Sequence, residues 1–266
     1  MHLNPIAVPV AVCGALLFIV GMALEKKAVS HRVRVLLFVI SIALAVPGLL
    51  FTLYYTHLFD DSVWFYRLRA LRYSELLISG SGLFAGVLHS WFGPETLGER
   101  AAFPAALIVL IGVPFLKPAL VPIDLDSLRD QCEGEICMQS TFSTCGPSSS
   151  ATILKALGQK SSEAELAREC FTSRGGTEIW YIARAFQRRG YRARVEIQPV
   201  KNLSPPSPAI AGVVLPGGAG HFIAILSQTD KEVIIGDPMK GKLVVKRGDL
   251  KEYYRFTGFF LVIQSK

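Results

Sequence analysis

Cys145-Gly146-Pro147-Ser148, six residues beyond Gln139 and ahead of the apolar positions Ile153, Leu154 and Leu157, is the stretch on which the reading of this chain turns. The spacing predicts a helix that starts at Cys145 and is closed by Gly158. Pro147 suits a first helical turn, and Gly146 leaves room for close approach of a substrate to the backbone. Cysteine reacts as its thiolate, and a helix N-terminus beside an imidazole favours that form. A bare Cys-Gly-Pro fits a buried structural thiol equally well, so the rest of the chain has to decide.

His221 is the only histidine after residue 89, so a Cys/His pair in this half must use it. It opens an apolar run behind Pro216-Gly217-Gly218-Ala219-Gly220, where glycines let the backbone turn and leave space for a peptide. An imidazole that acts as a base needs an acceptor to fix its tautomer. Asp237, in Gly236-Asp237-Pro238 one strand later, is placed for that, although Asp before Pro is also an ordinary turn. Gln139 could donate its amide to an oxyanion, together with the Cys145 N–H; alone it reads as a polar linker residue. In the order Gln139, Cys145, His221, Asp237 the chain holds an amide donor, a thiol nucleophile, a base and an orienting carboxylate.

The 266 residues are 51% hydrophobic, with mean hydropathy +0.39. That average hides two unlike halves. Residues 1–121 hold nearly all the long apolar stretches, and residues 122–266 read as a mixed globule large enough for one core. The net charge of +7 is spread over both, and neither half carries a basic block. Arg184, Arg188, Arg189, Arg192 and Arg194 are the densest group; they read as a solvated helix end, and nucleic-acid binding is not expected. Five cysteines are few for a disulfide scaffold. Cys132 and Cys137 are spaced for a small disulfide loop or for two free thiols. One histidine in the C-terminal half gives poor support to a zinc site, and no metal or cofactor is expected.

Four membrane spans are expected at about 5–24, 35–56, 76–92 and 101–121, with three as the alternative count. Pro47-Gly48 inside the second is tolerable in a membrane helix. Between the second and third, Trp64, Phe65, Leu68 and Leu71 alternate with Arg67, Arg69 and Arg72, a pattern for an amphipathic helix on the membrane surface. Lys26, Lys27, Arg32 and Arg34 assign the first loop to the cytoplasm, so four spans put the C-terminal domain outside. The arginines of the second loop weigh against that placement.

After the boundary at Val121-Pro122, helix patterns come first, with a cap at Ser161-Ser162 and another at Thr177. Strand patterns follow at 192–197, 209–215, 222–226, 233–235, 243–245 and 258–263. Helices followed by strands predict an α+β domain.

Gln139, Cys145-Gly146-Pro147, Gly220-His221-Phe222, Gly236-Asp237-Pro238-Met239-Lys240-Gly241 and Phe256-Thr257-Gly258-Phe259-Phe260-Leu261 together resemble the bacteriocin-processing peptidases. So does Thr172-Ser173-Arg174-Gly175-Gly176-Thr177 with the helix pattern behind it. These are papain-like cysteine peptidases that remove double-glycine leader peptides, usually as the N-terminal domain of an ABC exporter. The resemblance covers about residues 136–264. It implies a papain-like fold, with Gln139, Cys145, His221 and Asp237 as the catalytic set. It further implies cleavage after a Gly-Gly-type pair and a separate exporter or secretion apparatus as partner. Thr144 stands where the family often has an acidic residue, and Ser148, Ser149 and Ser150 where small apolar residues are usual. No phosphate loop of the Walker type is present, so ATP use is not implied. The resulting expectation is a membrane-anchored cysteine endopeptidase of a bacterial cell membrane, in contact with peptide substrate and lipid. A non-catalytic leader-binding module and an acyl transferase on the same fold are the alternatives. A transporter or channel with a regulatory domain would need polar groups inside the spans, and few are found.

Overall fold

The computed structural model describes residues 4–58, 62–93 and 95–265, apart from the Asn202 side chain. In chain order the helices of the N-terminal half are α1 (Ala7–Lys27), α2 (His31–Leu53), α3 (Val63–Ala70), α4 (Gly80–Phe92) and α5 (Leu97–Leu120). The chain divides into two compact units, and the division does not follow the sequence halves. Helices α1, α2, α4 and α5 make one unit; α3 belongs with everything from Val121 onward.

In the first unit, α1, α2 and α5 carry exposed Leu, Ile and Val along their length, such as Leu16, Leu36 and Ile108. A helix apolar all round is one that meets lipid or a core on every side. Among the described residues, three helices are long and apolar enough to cross a membrane: Ala7–Lys27, His31–Thr56 and Leu97–Leu120. The fourth expected span, 76–92, falls on a 3-10 segment, Ser74–Ser79, and the thirteen-residue α4. Its glycines have a packing reason. A Cβ on Gly82 or Gly86 would overlap the Gly14 and Phe18 carbonyls of α1, so only glycine lets the two backbones meet.

The second unit opens with a small hairpin of β1 (Cys132–Glu133) and β2 (Ile136–Cys137), closed by a Cys132–Cys137 disulfide. Helices α6 (Cys145–Ala156), α7 (Glu163–Glu169) and α8 (Ile179–Arg188) follow. Then come β3 (Tyr191–Ile197), β4 (Ala209–Val214), β5 (Gly220–Gln228), β6 (Glu232–Asp237) and β7 (Gly241–Lys246), and finally α9 (Leu250–Tyr253) and β8 (Arg255–Ser265). All six expected strands form, in one antiparallel sheet of order β3-β8-β4-β5-β6-β7. The architecture is α+β. Alternation along β5 puts Ile223 and Ile225 into an apolar cluster with Val213, Ile235, Tyr254 and Phe260, while Phe222 meets α6 near Gly146. Ser162 caps α7, accepting from the Glu165 N–H at 3.1 Å. Thr177 does not cap α8, because its hydroxyl is bonded to Thr172 at 2.7 Å.

The expected membrane-surface helix is part of this unit instead. Phe65 of α3 is fully buried with its ring edge-on to Trp180, and Tyr66 packs on Phe259 with centroids 5.1 Å apart. The buried Arg69 lays its guanidinium over the Trp180 ring at 4.5 Å. Arg184, expected on a solvated helix end, is buried and donates to the Arg69 carbonyl. The face of α3 that carries Phe65, Tyr66 and Arg69 is therefore covered by protein, while Trp64 and Leu71 of the expected stripe stay exposed. Replacing Phe65 by Ala should destabilise this unit by about 3 kcal/mol, as for an aromatic lost from a core. Thermal unfolding of the detergent-solubilised chain measures it; a loss below about 1 kcal/mol, typical of a surface change, would contradict the assignment.

Candidate active site

Cys145 begins α6, where the backbone N–H groups of the first turn lack helical partners. The helix is buried almost throughout, and its serines explain how. Ser148 donates to the Met138 carbonyl at 3.4 Å, Ser149 to Phe222 at 3.0 Å, and Ser150 to Gly146 at 2.7 Å. Thr152 accepts from the Cys137 N–H at 2.9 Å. Buried hydroxyls left unbonded would be costly; bonded, they fasten α6 to β5 and to the segment around β2. A Cβ on Gly146 would stand 2.8 Å from Ile182 Cδ1, so packing favours glycine there.

Strands β5 and β6 bring His221 and Asp237 together. His221 Nε2 lies 3.0 Å from Asp237 Oδ1, with both side chains buried. The Cys145 side chain is the other group whose interaction raises the His221 pKa, which puts thiol and imidazole in one neighbourhood. Asp237 takes two further donors: the Met239 N–H at 2.8 Å on Oδ1 and the Tyr254 hydroxyl at 2.5 Å on Oδ2.

The electrostatics follow from these contacts. Burial opposes charge on His221, but its bonds to Asp237 and Cys145, with their charges, outweigh burial and raise its pKa to about 9. Burial likewise opposes the Asp237 carboxylate; bonds from His221, Tyr254 and the Met239 N–H hold it below its ordinary range. Cys170, the other free thiol of this unit, is fully buried, and burial pushes it far above an ordinary thiol. The Arg188 and Arg189 charges pull the other way without offsetting burial.

Gln139 joins the site through both backbone and side chain. Its N–H donates to the Pro238 carbonyl at 2.9 Å, tying it to the Asp237 turn. Its side-chain amide donates to the Thr141 carbonyl at 2.9 Å, and an amide nitrogen carries a second N–H. Glu163 holds the neighbouring turn: it is buried and accepts from the Ser140 N–H at 2.6 Å and the Ser140 hydroxyl at 2.5 Å. Thr144, at the position expected to be acidic, is buried and spans the same turn, accepting from the Thr141 N–H at 3.1 Å. The structure thus gathers Cys145, His221 and Asp237 directly and Gln139 beside them. Sequence reading missed Tyr254, Glu163 and Ser149. Tyr254 sits immediately before the aromatic closing strand, and nothing in its surroundings marks it.

The model of the Peptidase C39 family matches residues 134–266. This chain belongs to the peptidase C39 family. An uncharacterized protein of Methanothermobacter thermautotrophicus is 33% identical over 129 residues, 48% of this chain and 87% of the relative. A second, from Methanothermobacter marburgensis, is 32% identical over 131 residues, 49% and 89% of the two chains. Both relatives are archaeal. Among solved structures the chain is similar to the peptidase domain of Streptococcus ComA, at 21% identity and TM-score 0.41 over 48% of this chain and 96% of that one. It is also similar to a double glycine motif protease from an AMS/PCAT transporter, at 21% identity and TM-score 0.42 over 52% and 94%.

The pair His221–Asp237 carries a pH signature. With the His221 pKa raised from 6.5 to about 9, its stabilising effect is complete below about pH 6.5 and disappears as pH climbs through about 9. The Asp237 effect is present above its ordinary 3.8 and disappears as pH falls through its lowered value. Melting temperatures of wild type and Asp237→Asn should differ most between about pH 4 and 6.5 and converge above pH 9. A difference independent of pH would contradict the charged pair.

Proposed function

We propose that the second unit is a cysteine endopeptidase acting on peptide substrates at a membrane. The observation that supports it best is the buried His221–Asp237 pair, whose imidazole also interacts with Cys145 at the start of α6. In this reading Cys145 Sγ yields its proton to His221 and attacks the scissile carbonyl carbon. The oxyanion is met by the Cys145 N–H and by the second N–H of Gln139, whose first holds Thr141. His221 then protonates the leaving amine, and water, deprotonated by the same imidazole, releases the acyl group. Asp237 keeps the ring oriented and the imidazolium stable. The motif resemblance supports a Gly-Gly-type site in a leader peptide and a separate exporter as the source of that substrate.

We infer further that residues 3–120, apart from the α3 segment, anchor this domain through four crossings. Helix α3 follows α2 directly, yet belongs with the chain from Val121 onward. A single folded unit lies on one side of a membrane, so an even number of crossings separates α3 from Val121. Since α5 supplies one, Ser74–Phe92 supplies the other. Six 3-10 residues and thirteen α-helical residues span roughly 30 Å, the thickness of a hydrocarbon core. The basic first loop then lies in the cytoplasm and the peptidase unit outside, where a Cys132–Cys137 disulfide persists. The buried Arg69 belongs to the peptidase core, which lessens the opposing charge of the second loop.

Two experiments test these readings. The detergent-solubilised chain, given a pool of peptides containing Gly-Gly, should cleave on the C-terminal side of that pair, as read by mass spectrometry. Cys145→Ala should abolish cleavage and His221→Ala should slow it by about 10²–10⁴-fold. Cleavage that survives Cys145→Ala would overturn the assignment. For topology, single cysteines at Asp230 and Lys27 in a background without Cys13, Cys145 and Cys170 should react oppositely in intact cells. A membrane-impermeant maleimide should label position 230 and spare 27; the reverse would exclude the outside placement.

A further inference from the structure

Tyr254 is the one residue of the polar cluster around Asp237 to which the proposed chemistry assigns nothing. It lies between α9 and β8 and is 5% exposed, with its ring in the apolar cluster beside Phe256. Its hydroxyl leaves that apolar setting to meet Asp237 Oδ2 at 2.5 Å. The other carboxylate oxygen is already taken by His221 and the Met239 N–H. Without Tyr254 one oxygen of a carboxylate that is 1% exposed would lose its hydrogen-bond donor.

We propose that Tyr254 is a positioning residue of the peptidase, which holds Asp237 ionised and turned so that Oδ1 faces the imidazole. The inference rests on the peptidase reading above. Its physical content is the difference between two states of Asp237. As an anion Asp237 accepts all three donors and sustains the imidazolium that pairs with the Cys145 thiolate. Protonated, it loses its charge, the ring becomes easier to neutralise, and the thiolate loses its counterion. A hydrogen bond to the charged form favours that form. The phenol can donate throughout the working range, because burial and then the neighbouring carboxylate push its own ionisation far above the usual value. The groups that face Asp237 are few. His221 comes from β5 and Tyr254 from the α9–β8 connection. The β6–β7 turn adds the Met239 N–H and Lys240, whose Nζ sits 4.8 Å over the Tyr254 ring. Gln139 reaches only the Pro238 carbonyl.

The test is the pH dependence of Cys145 alkylation by limiting iodoacetamide on the detergent-solubilised chain, mapped by mass spectrometry. Wild type, Tyr254→Phe, Asp237→Asn and the double variant are compared. Tyr254→Phe should move the acid limb to higher pH by about one unit, the worth of one charge-assisted hydrogen bond. The ratio of rates at pH 5 and pH 8 then falls about tenfold, and a uniform loss of folded protein cancels from that ratio. In the Asp237→Asn background the same substitution should leave the limb where it is, since no ionisable partner remains. An unshifted limb in Tyr254→Phe overturns the positioning role alone, as does an equal shift in the Asp237→Asn background. Wild-type Cys145 that reacts no faster than Cys13 and Cys170 at any pH overturns the peptidase reading and this inference with it.

Discussion

The second unit is organised around a carboxylate that water scarcely reaches. Asp237 is 1% exposed, and a buried charge is tolerable only when opposite charge and hydrogen-bond donors surround it. Here the donors come from three places: His221 on β5, Met239 in the β6–β7 turn and Tyr254 ahead of β8. Through the Pro238 carbonyl the same turn also fixes the segment that carries Gln139. Misplacing any of these elements would leave a lone pair or a donor without its partner. The constraint that keeps the charge buried is therefore the one that places the imidazole against Cys145.

Helix α6 meets a related constraint in a different way. A helix this deeply buried is usually lined with apolar residues, whereas here Ser148, Ser149, Ser150 and Thr152 are fully buried. Each bonds to backbone, and three of the four bonds reach outside the helix. Ser149 is the most telling. Its bond to the Phe222 carbonyl connects the helix that begins at Cys145 to the residue after His221. Small hydroxyl side chains thus fasten the helix that begins at Cys145 to the strand that carries His221 by directional bonds, which apolar packing alone would leave softer.

Helix α3 shows how the membrane half and the globular half share residues. Its Arg69 is enclosed between Trp180 and the backbone contact from Arg184. Guanidinium against an indole face is favourable when desolvated, and the same indole meets the buried Phe65 ring. Trp180 and Ile182 lie on one helix, and Ile182 is the residue against which Gly146 packs. A loop between two apolar helices is thereby continuous, through α8, with the start of the helix bearing Cys145.

Much of this was legible in the residues themselves. Period-two apolar runs marked six strands, because alternation is all that a half-buried strand needs. A single histidine after residue 89 left one candidate for a base, and Gly-Asp-Pro marked the turn that carries Asp237. What sequence could not carry was anything that depended on two segments meeting. Tyr254 and Asp237 are seventeen positions apart, and a tyrosine beside an aromatic strand looks like any core residue. Glu163 reads as a helix-start acid until Ser140 is found against it. For α3 the pattern was read correctly as amphipathic, but an apolar stripe does not name what covers it; lipid and Trp180 satisfy it equally. Spacing determined which residues are candidates for the chemistry and which segments are strands. Only the tertiary structure decided their partners, because hydrogen bonds and burial are properties of pairs of segments and not of either one alone.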